Sequence, residues 1–136
     1  MPLRGQRILV VEDESAVAFD VGCIIRKARG SIAAYAANLS HAMKLAEAPD
    51  FSAAILDFRL GPNTSLPVAV KLHAAGVPFI FHTGCGTCEL ERVWPHVPIV
   101  QKPATPKDLI AGLVYLLSAP PPDKLALASR CASGRS

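Results

Sequence analysis

Short unbroken apolar runs alternate along the chain with longer stretches whose apolar residues recur every three or four positions. Residues 7–11 form a continuous β-branched and leucine run, the pattern of a strand buried on both faces. Over 14–29, Val17, Val21, Ile24, Ile25 and Ala28 fall at helical spacing, and Gly30 reads as the stop. The pattern then predicts a weaker strand over 31–37 and a helix capped by Ser40 that carries Met43, Leu45 and Ala46. Residues 51–58 are a second strongly apolar strand, which runs into Asp57. Gly61, Pro62, Asn63 and Thr64 supply a turn, and Pro67 suits the first turn of a helix faced by Val68, Leu72 and Ala75. Strands over 77–81 and 97–100 follow. The last helix is the best marked: Thr105 and Asp108 form a capping-box-like pair, Pro106 takes the first helical position, and Leu109, Ile110, Leu113, Val114 and Leu117 share one face.

Five strands alternating with helices predict an α/β fold, a five-stranded parallel sheet flanked by helices on both faces. The connection over 84–98 is short for a full crossover, so a shortened fourth helix is expected. In such open sheets the reactive groups gather outside the carboxyl ends of the strands. Glu12 and Asp13 follow the first strand, Asp57 the third, Thr83 the fourth and Lys102 the fifth. Taken singly, Asp57 reads as a turn cap and Lys102 as a solvated surface residue. Taken together they have a chemical sense. Carboxylates ~5 Å apart at an effective dielectric of ~20 repel by about 3 kcal/mol per pair, so a cation should relieve them. Oxygen-only ligands in an open crevice favour Mg²⁺. A carboxylate beside it can attack a phosphoryl group, a lysine can neutralise phosphate charge, and a threonine hydroxyl can bond a phosphoryl oxygen.

The segments Ile8-Leu9-Val10-Val11-Glu12-Asp13-Glu14, Ile55-Leu56-Asp57, Phe81-His82-Thr83-Gly84 and Gln101-Lys102-Pro103, in this order, resemble those of a response-regulator receiver domain over residues 5–118. The resemblance implies a flavodoxin-like, CheY-like fold with Asp57 as phosphoacceptor. It implies that Glu12, Asp13, Asp57 and the backbone carbonyl of Arg59 hold Mg²⁺. Thr83 would be the switch hydroxyl and Lys102 the phosphate-binding lysine, followed by a cis bond to Pro103. Such a protein is a signalling phosphoacceptor rather than a metabolic enzyme. It takes its phosphoryl group from a sensor histidine kinase or phosphotransfer protein and passes the signal to a downstream protein, through the surface from Leu90 to Lys107 and onward along the last helix. Residues 78–84 are similar to the Phe-Ala-Thr-Gly-Tyr signature of the FAT GUY receivers of alphaproteobacterial stress signalling. His82 stands where alanine is usual there, and Cys85 where tyrosine is. Ile99 occupies the place of the aromatic switch residue, which that subfamily also tends to lack. Reordering of 84–98 is then the expected output.

With 136 residues the chain has the length of one domain, and 119–136 reads as a C-terminal tail without an output domain. A content of 51% hydrophobic and 18% charged residues excludes a disordered chain. No apolar run approaches the ~18–20 residues of a membrane span. The acidic Glu12-Asp13-Glu14 directly after the first apolar run does not fit a signal peptide, so a cytoplasmic location is expected. A net charge of +3 from scattered basic residues predicts no nucleic-acid partner, and no membrane partner is expected. The 4 cysteines read as free thiols. Two alternatives stand beside the leading reading. One is a phosphorylation-independent adaptor on the same fold. The other is a redox or zinc module built on Cys85 and Cys88, with His82 and His96 as further ligands.

Overall fold

The computed structural model describes residues 2–84, 92, 94, 95, 97–102 and 104–118. Five strands, β1 (Arg7–Val11), β2 (Ser31–Ala36), β3 (Ala53–Leu56), β4 (Phe79–Thr83) and β5 (Ile99–Gln101), pair in parallel in the order β2-β1-β3-β4-β5. The four helices among the described residues are α1 (Ser15–Lys27), α2 (Leu39–Glu47), α3 (Leu66–Ala74) and α4 (Pro106–Ser118). The pleat divides the core in two. Ile8, Val10, Ile55 and Ile80 pack with Val21 and Ile25 of α1 and Leu109 and Leu113 of α4. Leu9, Val11, Leu56 and Phe81 pack on the other face with Ala42 of α2 and Val68 and Leu72 of α3. Covering both faces explains why β1 and β3 read as unbroken apolar runs. Chain order reverses between β1 and β3, and this switch point opens a crevice at the strand carboxyl ends.

Several element boundaries differ from those that the pattern predicts, each for a local hydrogen-bonding reason. The cap of α2 is Asn38, not Ser40: its side-chain oxygen accepts the His41 N–H at 2.8 Å. β3 is shorter than 51–58, because the Ser52 hydroxyl accepts the Arg7 N–H at 2.7 Å and holds that residue at the strand's entrance. β4 begins at Phe79, since the Val77 N–H is bound to Leu72 O at 2.9 Å and Pro78 has no N–H to give. It also runs on to Thr83. β5 likewise begins at Ile99, after the Val97 N–H has bonded Trp94 O at 3.1 Å and Pro98 has offered only its carbonyl. The turn over 61–64 is a small antiparallel ribbon, Arg59–Leu60 against Asn63–Thr64. Gly61 takes a left-handed φ of 61° at its tip. The capping pair of the last helix is present in one direction, the Asp108 N–H donating to Thr105 Oγ1 at 3.1 Å. The expected short fourth helix falls mainly on residues 85–91, 93 and 96, outside the described residues, as does the Pro103 bond.

The end of α1 carries a testable local conflict. The left-handed residue is Arg29, with φ 73°, rather than Gly30. The Gly30 N–H donates to Ile25 O at 3.0 Å and the Arg29 N–H to Arg26 O at 2.9 Å, the two bonds of a Schellman ending. A side chain in this conformation costs energy that glycine does not. Arg29→Gly is therefore expected to raise the melting temperature by about 2–4 °C, roughly 0.5–1 kcal/mol, despite the looser unfolded chain. Thermal unfolding followed by circular dichroism measures it. Among the described residues no helix is long and apolar enough to cross a membrane.

Candidate functional site

The ladder hydrogen bonds deliver the acidic residues to one another. Val11 lies opposite Leu56, so the next residues along, Glu12 and Asp57, emerge side by side from β1 and β3. Both are held by continuing backbone bonds, Asp57 N–H to Val11 O and Glu12 N–H to Ala36 O, each 2.9 Å. On the far side Thr83 pairs with Gln101, and the Lys102 N–H donates to Thr83 O at 2.9 Å. The end of β5 therefore stands beside the end of β4, and the Lys102 side chain reaches back across the crevice.

Lys102 Nζ lies 2.8 Å from Glu12 Oε1 and 3.1 Å from Asp57 Oδ2. The carboxylates are buried, with side-chain exposures of 3% for Glu12 and 9% for Asp57. Asp13 is exposed, and it accepts the Gly61 N–H at 3.0 Å, which ties the ribbon to the end of β1. The Glu14 N–H donates to Glu12 Oε2 at 3.2 Å. Glu12, Asp13 and Asp57 each offer a carboxylate oxygen within 4.8 Å of the others. Thr83 is buried at the end of β4. Arg59 follows Asp57 by two residues and opens the ribbon with its side chain exposed.

Burial pushes Glu12 up to about 7, and the neighbouring Asp57 adds to it, against the pull of Lys102. Burial by itself would lower the Lys102 pKa, but its bonds to Glu12 and Asp57 outweigh that and raise it, so the ammonium stays charged. One ammonium thus neutralises two crowded acids. Relief of the crowded carboxylates does not fall to a divalent ion alone; the lysine supplies part of it.

The donor set still fits a hard divalent ion. It consists of three carboxylates on adjoining loops, with Asp13 on the solvent side of the lysine's two partners. The structure brings together Glu12, Asp13, Asp57 and Lys102, and places Thr83 on the adjoining strand end. Two contacts carry no sequence signal, the Gly61 and Glu14 amides that orient Asp13 and Glu12. Of the candidate zinc ligands, Cys85, Cys88 and His96 lie outside the described residues. His82 is buried in the sheet.

No family model matches the chain, and no curated protein does. Solved structures do. SdrG from Sphingomonas melonis Fr1 is 30% identical, with a TM-score of 0.74 over 86% of this chain and 98% of that one. A CheY-like response regulator receiver domain protein from Methanospirillum hungatei JF-1 is 22% identical, with a TM-score of 0.73 over 85% of this chain and 94% of that one. The receiver domain of the sensor histidine kinase PA1611 from Pseudomonas aeruginosa PAO1 is 21% identical, with a TM-score of 0.73 over 85% and 99%. That structure holds a magnesium ion in its active-site cleft. With this fold, these strand-end residues and these relatives, the chain belongs to the CheY-like response-regulator receiver domains of two-component signalling.

Proposed function

We propose that the chain is a cytoplasmic response regulator that accepts a phosphoryl group on Asp57 and signals by contact with another protein. The observation that carries this reading is the single Lys102 ammonium bridging Glu12 and Asp57 inside a triad of carboxylates. Glu12, Asp13 and Asp57, with the Arg59 backbone carbonyl, would hold Mg²⁺. When bound it supplies positive charge against the phosphoryl oxygens.

The chain's own groups do the rest. Asp57 is nearly buried, so its carboxylate is poorly hydrated and available as a nucleophile. Its oxygen attacks phosphorus of a phosphohistidine on a sensor kinase or phosphotransfer protein. The O–P bond forms as the N–P bond breaks, and the departing imidazole takes up a proton. Lys102 then turns from the Asp57 oxygen to the new phosphoryl oxygens while keeping Glu12. The Thr83 hydroxyl bonds the phosphoryl group and carries the change into β4. Residues 5–118 form the receiver unit of this proposal, and the surface from Leu90 to Lys107 and onward along the last helix meets the downstream protein.

Incubation with acetyl phosphate and Mg²⁺ followed by intact-mass measurement tests the reading. The wild type is expected to gain one phosphate-sized increment, and Asp57→Asn or a chelator to abolish it. A gain that persists in Asp57→Asn assigns a different acceptor. A second reading, a phosphorylation-independent adaptor, is favoured by one observation. Ile99 holds the place of the switch aromatic and packs into the α2/α3 layer, where it has no ring to rotate. The absence of any gain in the wild type would favour it.

A further inference from the structure

Along β4 the pleat sends Ile80 into the α1/α4 layer, and His82 follows it two residues on. His82 is 5% exposed, and among the described residues it has no hydrogen-bond partner. Its ring nitrogens are not sealed from solvent, since the enclosed side-chain atoms without a partner among the described residues are Ser65 Oγ and Trp94 Nε1; they open onto the space in front of the strand. His82 lines a cavity of about 370 Å³ between α1 and α4, walled by Val17, Val21 and Ile24 on one side and Leu109 on the other. That volume lies at the lower end of small-molecule pockets, as does the make-up, mostly apolar with a few polar groups.

Two other polar residues line the cavity. Lys102 gives it only its aliphatic stem, because the ammonium is turned to Glu12 and Asp57. Asp20, exposed on α1, makes no ion pair among the described residues. Burial, helped by the Lys102 charge, holds the His82 imidazole below its usual pKa, so at neutral pH it offers one N–H and one lone pair. The polar groups that the cavity offers a ligand are thus one neutral imidazole within and one carboxylate at the rim.

We propose that this cavity binds a small organic cation. A compact aromatic or alicyclic body lies against α1 and Leu109, a hydroxyl bonds His82, and a protonated amine meets Asp20. Anionic ligands are disfavoured by the same carboxylate. The site adjoins the phosphoryl crevice through the Lys102 stem, but it needs no phosphoryl group on Asp57.

Tyramine is a suitable probe, with phenethylamine (no hydroxyl) and 4-ethylphenol (no amine) as partners. Titration of the isotopically labelled full chain is followed by methyl and imidazole resonances. Tyramine is expected to shift the Val17, Val21, Ile24 and Leu109 methyls saturably, with a Kd of about a millimolar. His82→Ala should weaken tyramine about five- to ten-fold and leave phenethylamine unchanged. Asp20→Asn, on an exposed helix face where folding is not at stake, should weaken tyramine by about five-fold and leave 4-ethylphenol unchanged. Shifts that do not saturate, that map elsewhere, or that survive both substitutions undiminished would overturn the proposal.

Discussion

Replacing Lys102 with alanine is expected to lower the melting temperature of the metal-free protein by about 10 °C at pH 8, and by clearly less at pH 6. The ammonium is the shared partner of two buried carboxylates, 2.8 Å from Glu12 and 3.1 Å from Asp57. Removing one member of a buried ionic cluster costs about 3–5 kcal/mol, because the remaining charges keep their desolvation penalty and lose their counter-charge. The pH dependence follows from Glu12. Its folded pKa of about 7 exceeds the unfolded value of 4.5, so the folded state holds a proton that the unfolded chain has released. Stability from this group is fully present below about 4.5 and is lost as pH rises to about 7. Without Lys102 that loss steepens, because two carboxylates then face each other with no cation between them. Thermal melts of both proteins at the two pH values, in the presence of a chelator, decide it. A variant that melts within ~2 °C of the wild type at pH 8 would show that the bridge is incidental.

Affinity for Mg²⁺ is expected to rise about ten-fold between pH 6 and pH 8. A metal ligand must be ionised, and with a pKa of about 7 Glu12 is charged in about one molecule in ten at pH 6 and nine in ten at pH 8. Glu12→Gln should bind Mg²⁺ more weakly and lose this slope, since it keeps the side-chain shape but cannot ionise. Isothermal titration calorimetry at the two pH values measures both effects. By mass action, Mg²⁺ should also raise the melting temperature at pH 8, and chelation should reverse the rise. The increment should be larger in Lys102→Ala, where there is no ammonium for the ion to displace. Equal affinities at the two pH values would remove Glu12 from the metal's ligands.

The fold was legible where burial on two faces leaves an unbroken apolar run, as in β1 and β3, and where a cap announces a helix, as Thr105 does for α4. The site was legible because topology places strand ends together. Glu12, Asp57 and Lys102 could be assembled from their positions after three strands without any knowledge of distances. What the chain concealed depends on backbone hydrogen bonds that side-chain patterns do not encode. The ribbon at 59–64 and its amide bond from Gly61 to Asp13 are of this kind. So is the choice of Arg29 over Gly30 as the left-handed residue. The strand starts were misplaced around Pro78 and Pro98 because an apolar run continues through a residue that cannot donate to the ladder. His82 reads from the sequence as a departure from alanine and a further ligand of a zinc module; the space in front of it is set by how α1 and α4 pack, which the strand's own pattern does not encode.

The phosphoryl group is expected on Asp57. Reduction of an acyl phosphate with borohydride converts the modified side chain to an alcohol and marks the residue permanently, so peptide mass mapping after acetyl phosphate and Mg²⁺ treatment reads the acceptor directly. The mark is expected on Asp57, abolished by chelation and absent without phosphodonor. A mark on Asp13 or any other acid, or unmarked Asp57 under full Mg²⁺ loading, would contradict this assignment.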